Sequence, residues 1–193
     1  MSRRASLVLN LFWLAALGCS PATPPAPAPL VDMSAMPTPF VAPPINRPPV
    51  KSTADVNLPN DAAVVGVLVS GGRARAYLIE AIRPLSHHVV NDQIDNTPVT
   101  VTYFARNKTI RVFTDVDVGH PLDIKIGGFN NGMLLMVGSN YFEQATGRSL
   151  TPELKFPYDT MPHELTTWGA WIKSHAESEI YVGDLSADDI RRP

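Results

Sequence analysis

From residue 63 onward the chain alternates apolar and polar positions with the two-residue period of β-strands. Ala63 to Ser70 is apolar and β-branched, and Ser70-Gly71-Gly72-Arg73 supplies a turn that tolerates positive φ. On the return run Ala74, Ala76 and Leu78 alternate with Arg73, Arg75 and Tyr77, which completes a hairpin. A second hairpin follows. Val99, Val101 and Tyr103 alternate with Thr100, Thr102 and Phe104, and Asn107-Lys108 turns the chain into Thr109 to Thr114. A third is predicted from Leu122 to Ile126, the turn-rich stretch Gly127 to Gly132, and the apolar run Met133 to Val137. Leu165, Trp168, Trp171, Ile172 and His175 recur at helical spacing and predict one C-terminal amphipathic helix capped by Thr160 or Thr166. Ile180 to Val182 reads as a closing strand. The expected fold class is α+β: a mostly antiparallel β sheet or partly closed barrel built from hairpins, with that helix packed on it.

The first quarter of the chain has a different pattern. Arg3 and Arg4 precede an apolar run from Ala5 to Leu17 broken only by Ser6 and Asn10, so residues 1–18 read as a signal peptide. Gly18-Cys19 stands where cleavage is expected and resembles a lipobox, with Ala16 at the place where leucine is usual. Cys19 would then be the lipidated first residue. Ser2-Arg3-Arg4 also matches the start of a twin-arginine signal, although Ser6 replaces the preferred Phe, and the general secretory route is the expectation. Proline and alanine dominate from Ser20 to about Val50, including Pro24-Pro25, Pro43-Pro44 and Pro48-Pro49. Proline fixes φ and lacks an amide hydrogen, so this segment is expected to be extended and outside any sheet, reaching up to roughly 90 Å at about 3 Å per residue. The expected layout is a signal peptide at 1–18, the lipidated Cys19 and tether at 19–54, a β-rich globular domain at 55–185, and a polar tail at 186–193.

Composition narrows the chemistry. The net charge of −2 and the 18% of charged residues leave no field to gather phosphate backbones, so nucleic acid is not an expected partner. Cys19 is the only cysteine, which denies the domain a disulfide, a thiolate zinc site and a cysteine nucleophile. No glycine-flanked nucleophile elbow, Walker loop or dinucleotide fingerprint occurs in the sequence. The densest polar cluster is His87-His88 followed by Asn91-Asp92. Imidazoles and a carboxylate suit zinc or copper, but neighbouring strand residues point to opposite faces. His87 and His88 would share a metal only in an irregular loop. The plainer expectation is that Asn91 and Asp92 bond to the backbone of a local turn.

The segments Val64-Val65-Gly66-Val67, Ala74-Arg75-Ala76-Tyr77, His87-His88-Val89-Val90-Asn91-Asp92 and Pro98-Val99-Thr100-Val101-Thr102-Tyr103, taken in order, resemble the bacterial domain of unknown function 3179 family. Leu134-Leu135-Met136, Gln144-Ala145-Thr146-Gly147, and Thr166-Thr167-Trp168 with Trp171 and His175 extend the likeness over residues 62–182. The resemblance also implies what this chain has lost. Its His88 stands where the family commonly has glutamate, and Phe104-Ala105-Arg106-Asn107 replaces a usual Cys-Pro-x-Cys. Val137-Gly138-Ser139 replaces a usual Tyr-Asp-Arg. The resemblance thus implies a divergent member that lacks the family's most obvious redox or metal chemistry.

Two functional readings remain. The first is an exported lipoprotein whose domain binds a ligand or an envelope protein without catalysis, held at the membrane by its lipid and needing no cofactor. The second is a metal-dependent protein or hydrolase with zinc or copper at His87, His88 and Asp92. The balance leans away from an enzyme.

Overall fold

A computed structural model describes residues 42–185. The expected signal peptide at 1–18, Cys19, most of the expected tether and the tail from 186 lie outside the described residues. In chain order the elements are β1 (Ile45–Asn46), β2 (Lys51–Ser52), β3 (Ala63–Leu68), β4 (Ala74–Leu78), α1 (Ile79–Ile82), β5 (Val89–Ile94), β6 (Thr97–Phe104) and β7 (Thr109–Thr114). They continue with β8 (Ile124–Phe129), β9 (Met133–Val137), β10 (Asn140–Glu143), β11 (Asp159–Thr160), β12 (Glu164–Thr167), α2 (Trp168–Ser174) and β13 (Glu179–Tyr181). All three expected hairpins form, as β3–β4, β6–β7 and β8–β9.

The strands make three sheets, mostly antiparallel and not closed into a barrel. One has the order β1-β5-β6-β7-β11, a second β10-β9-β8, and a third β12-β3-β4-β13-β2. The first lies between the other two. Val90, Ile94, Val99, Val101, Tyr103 and Val112 on one of its faces join Val65, Val67, Tyr77, Leu78 and Ile180 of the third sheet in the larger core. Val89, Phe104 and Phe113 on its other face join Ile124, Ile126, Met133 and Leu135 of the second sheet. The alternation along β6 therefore separates two cores rather than a core and water, and Thr100 and Thr102 are as fully buried as Val99 and Val101. Their hydroxyls are satisfied inside: Thr100 Oγ1 donates to Asn91 Oδ1 at 2.8 Å and Thr102 Oγ1 to the Arg111 carbonyl at 2.9 Å.

Three sequence expectations need correction. Residues 89–94 form a buried strand where a turn was expected at Asn91-Asp92, because β6 and β1 flank them and outer sheets cover both faces. The fold begins by residue 42 rather than 55. Ala42 bridges Ile126, Ile45–Asn46 pairs with β5, and Lys51–Ser52 pairs with β13. Pro43, Pro44, Pro48 and Pro49 do stay out of the ladders, but the short segments beside them pair. The helix is also shorter than its apolar spacing suggested. Leu165 belongs to β12 and is exposed, and the N-cap is Thr167, whose Oγ1 accepts from Ala170 N.

Trp168 and Trp171 are core anchors. Trp171 is 1% exposed, its Nε1 donates to Ser178 Oγ at 2.9 Å, and its ring lies on the backbone of β3 at Gly66. A Cβ built on Gly66 would stand 1.9 Å from that ring, so only glycine lets α2 settle there.

Candidate functional site

The cluster that runs from His87 to Asp92 begins at the crossover from β4 to β5. After α1 a short 3₁₀ turn, Leu85–His87, lets both imidazoles fold back on carbonyls of the same crossover. His87 Nδ1 donates to the Ala81 carbonyl at 2.9 Å and His88 Nε2 to the Arg83 carbonyl at 3.0 Å. His88 is 3% exposed, lies edge-on to the rings of Tyr103 and Phe104, and leaves its Nδ1 without a partner. Burial lowers the pKa of His88 below its ordinary 6.5; the Arg83 carbonyl works against that and nearby His87 adds to it.

Once β5 begins, alternation sends Asn91 and Asp92 to opposite faces. Asp92 faces the third sheet. Its Oδ2 accepts from Arg75 Nη1 and from the Tyr77 hydroxyl, both at 2.6 Å, and its Oδ1 accepts from Gln93 N at 2.7 Å. Arg75 continues outward: Nε and Nη2 reach Glu179 Oε2 on β13, and Nη1 also reaches the Gln93 carbonyl. Burial by itself would lower the pKa of Arg75, but its bonds to Asp92 and Glu179 outweigh that and raise it, so the guanidinium stays charged. Burial first, and then the Asp92 carboxylate, push the Tyr77 hydroxyl well above its usual pKa. The phenol is thus held as a donor.

Asn91 faces the second sheet and is fully buried. Its Nδ2 donates to the Ile124 carbonyl of β8 and to Asn46 Oδ1 of β1, each at 3.0 Å, while its Oδ1 accepts from Thr100. One amide side chain so joins four strands.

Of the residues singled out from sequence, the structure brings none of the pairs to a shared ligand. Both Asp92 oxygens are occupied by Arg75, Tyr77 and Gln93, and the two imidazoles bind separate carbonyls. Among the described residues no group of three or more His, Cys, Asp or Glu side chains is placed to hold a metal ion. A carboxylate with every oxygen held by a donor is a poor general base, and a phenol locked onto it is a poor nucleophile. Sequence reading missed Arg75, Tyr77 and Glu179 as partners of Asp92. Arg75 and Tyr77 carried a signal, since both fall on one face of β4; Glu179 carried none, because β13 reaches β4 by a parallel pairing across the whole chain.

Phe104 and Asn107, the positions where the resemblance implies cysteines, have separate roles. Phe104 is buried, stacks on Phe129 with ring centroids 5.6 Å apart, and meets the edge of His88. Asn107 Oδ1 accepts from Thr109 N at 3.0 Å in the turn between β6 and β7. Among the described residues no helix is long and apolar enough to cross a membrane.

A family model described as "Protein of unknown function (DUF3179)" matches residues 41–189. No curated protein and no solved structure matches the chain. The matched span covers all of the described residues 42–185.

Proposed function

Because the chain belongs to the DUF3179 family of proteins of unknown function, and because Asn91 and Asp92 of its densest polar cluster are satisfied from within, we propose that it is an exported lipoprotein displaying a non-catalytic binding or structural domain at the cell envelope. Cys19 carries the lipid in this reading, and the Pro/Ala-rich segment before residue 42 sets the domain away from the membrane surface. The observation that carries the non-catalytic part is the full occupation of Asp92 by Arg75, Tyr77 and the Gln93 amide. A side chain so held contributes to architecture, and the partner is met elsewhere on the surface.

The metal-dependent alternative has one feature in its favour: Nδ1 of His88 keeps a free lone pair. Elemental analysis of the purified protein, followed by titration with zinc and copper, separates the readings. The binding-domain reading expects no stoichiometric metal. One tightly bound zinc or copper per chain, lost in His88→Ala, would overturn it. Mass spectrometry of the mature N-terminus tests the anchor: diacylglycerol on Cys19 supports it, and a mature chain with an unmodified thiol refutes it.

A further inference from the structure

With β1 and β2 set aside, the three sheets end in β8, β5 and β13, and residues 42–53, which include β1 and β2, make contact with these three strands in succession. Ala42, 3% exposed, bridges Ile126 on β8. Ile45 and Asn46 pair in parallel with Val90 and Asn91 on β5. Arg47 N donates to the Asn91 carbonyl at 2.8 Å, and Asn46 Oδ1 accepts from the Asn91 side chain. Lys51 and Ser52 then pair with Ile180 and Glu179 on β13, and Thr53 N donates to the Ser178 carbonyl at 3.2 Å. Pro43-Pro44 separates the first contact from the second, and Pro48-Pro49 the second from the third.

We propose that residues 42–53 are a strap that works as one releasable latch, holding the three sheets at a common edge and passing to all of them any pull or cut arriving through the chain before residue 42. Each contact is one or two residues long, and strand pairings that short are marginal alone. The diprolines join them with spacers that are already extended and have no amide hydrogens to satisfy, so little chain entropy is lost on docking. Once one contact is made, the next is presented at high effective concentration, which makes the contacts hold and release together. The middle contact carries strain: Arg47 has φ of 49°, a left-handed conformation that disfavours any residue with a Cβ. When the strap is off, β8, β5 and β13 are bare edges, and bare edges recruit strands from other chains. The strap stands on these contacts. Only the membrane as the source of the pull rests on the reading proposed above, and an unlipidated Cys19 would leave the outcomes below unchanged.

Two substitutions at one position in the full chain test it by hydrogen–deuterium exchange. Arg47→Pro removes the N–H given to Asn91 and cannot adopt positive φ, whereas Arg47→Gly keeps the N–H and suits that φ. Arg47→Pro should speed exchange at least tenfold in peptides covering β8, β5 and β13, and should shift the protein toward dimers or larger species in size-exclusion chromatography. Arg47→Gly should match the natural chain on both measures. Faster exchange confined to β5, with β8 and β13 as protected as before, would overturn the proposal, since the contacts would then be independent. If Arg47→Pro does not fold, Asn46→Ala decides by the same criterion: a smaller rise shared by all three edges supports the strap, and a rise in β5 alone refutes it.

Discussion

Asn91 and Asp92 are consecutive residues of β5, and their side chains bind opposite outer sheets: Asn91 holds the Ile124 carbonyl of β8, and Asp92 holds Arg75 and Tyr77 of β4. Strand geometry makes this possible, since neighbouring side chains project to opposite faces. Two adjacent polar residues so pin the central sheet to both of its neighbours. Polar groups buried in this way cost stability unless fully bonded, and here they are.

Asn91→Ala should destabilise the domain by about 1–3 kcal/mol in chemical denaturation, because it strands the Ile124 carbonyl and Thr100 Oγ1 in a dry interior and removes the bond to the exposed Asn46. Asn91→Asp should also destabilise, as it puts a carboxylate in place of the Nδ2 donor. Unchanged stability in both variants would mean that this interface is wet and the amide idle.

At the positions that the family likeness marks as cysteines, a contrast is expected. Phe104 fills the space between His88 and Phe129, so Phe104→Ala should cost about 3–5 kcal/mol. Asn107→Ala removes a single exposed turn bond to Thr109 and should cost about 1 kcal/mol or less. Equal losses from the two would show that the site retains a joint role instead of having become ordinary packing.

His88 gives a pH dependence with a definite sign. Its folded pKa lies below the unfolded value of 6.5, so the unfolded chain takes up a proton that the folded chain refuses. The stability that depends on neutral His88 is fully present above pH 6.5 and declines as pH falls from there through the lower folded pKa. His88→Gln keeps a donor for the Arg83 carbonyl without titrating. The fall in Tm between pH 7 and pH 5 should be shallower in His88→Gln than in the natural protein, and parallel curves would show that His88 is not the group responsible.

The hairpins were legible because each one has its own turn residues and its own alternation, and local signals of that kind need no tertiary information. Asn91 and Asp92 were misread for the complementary reason. Both residue types favour turns, and nothing local reveals that β1, β6 and two outer sheets surround them. Tertiary packing overrode propensity there. The strap was missed because proline content dominates residues 42–53, while Ile45-Asn46 and Lys51-Ser52 are too short to register as strands. The same limit hid the partnership of Arg75 with Glu179, which are joined only when β13 returns beside β4.

A double-mutant cycle on Arg75 and Asp92 tests most directly whether this polar cluster is architecture. Arg75→Met leaves Asp92 buried without its counter-charge and should cost about 3–5 kcal/mol in urea denaturation, whereas Asp92→Leu leaves Arg75 paired with Glu179 but takes the carboxylate from Arg75 Nη1 and the Tyr77 hydroxyl and should cost about 2–4 kcal/mol. The double variant should be less destabilised than the sum of the two, with a coupling of about 2–3 kcal/mol. Costs that add to within about 0.5 kcal/mol would contradict the account, because Asp92 would then be free of Arg75 and open to a ligand.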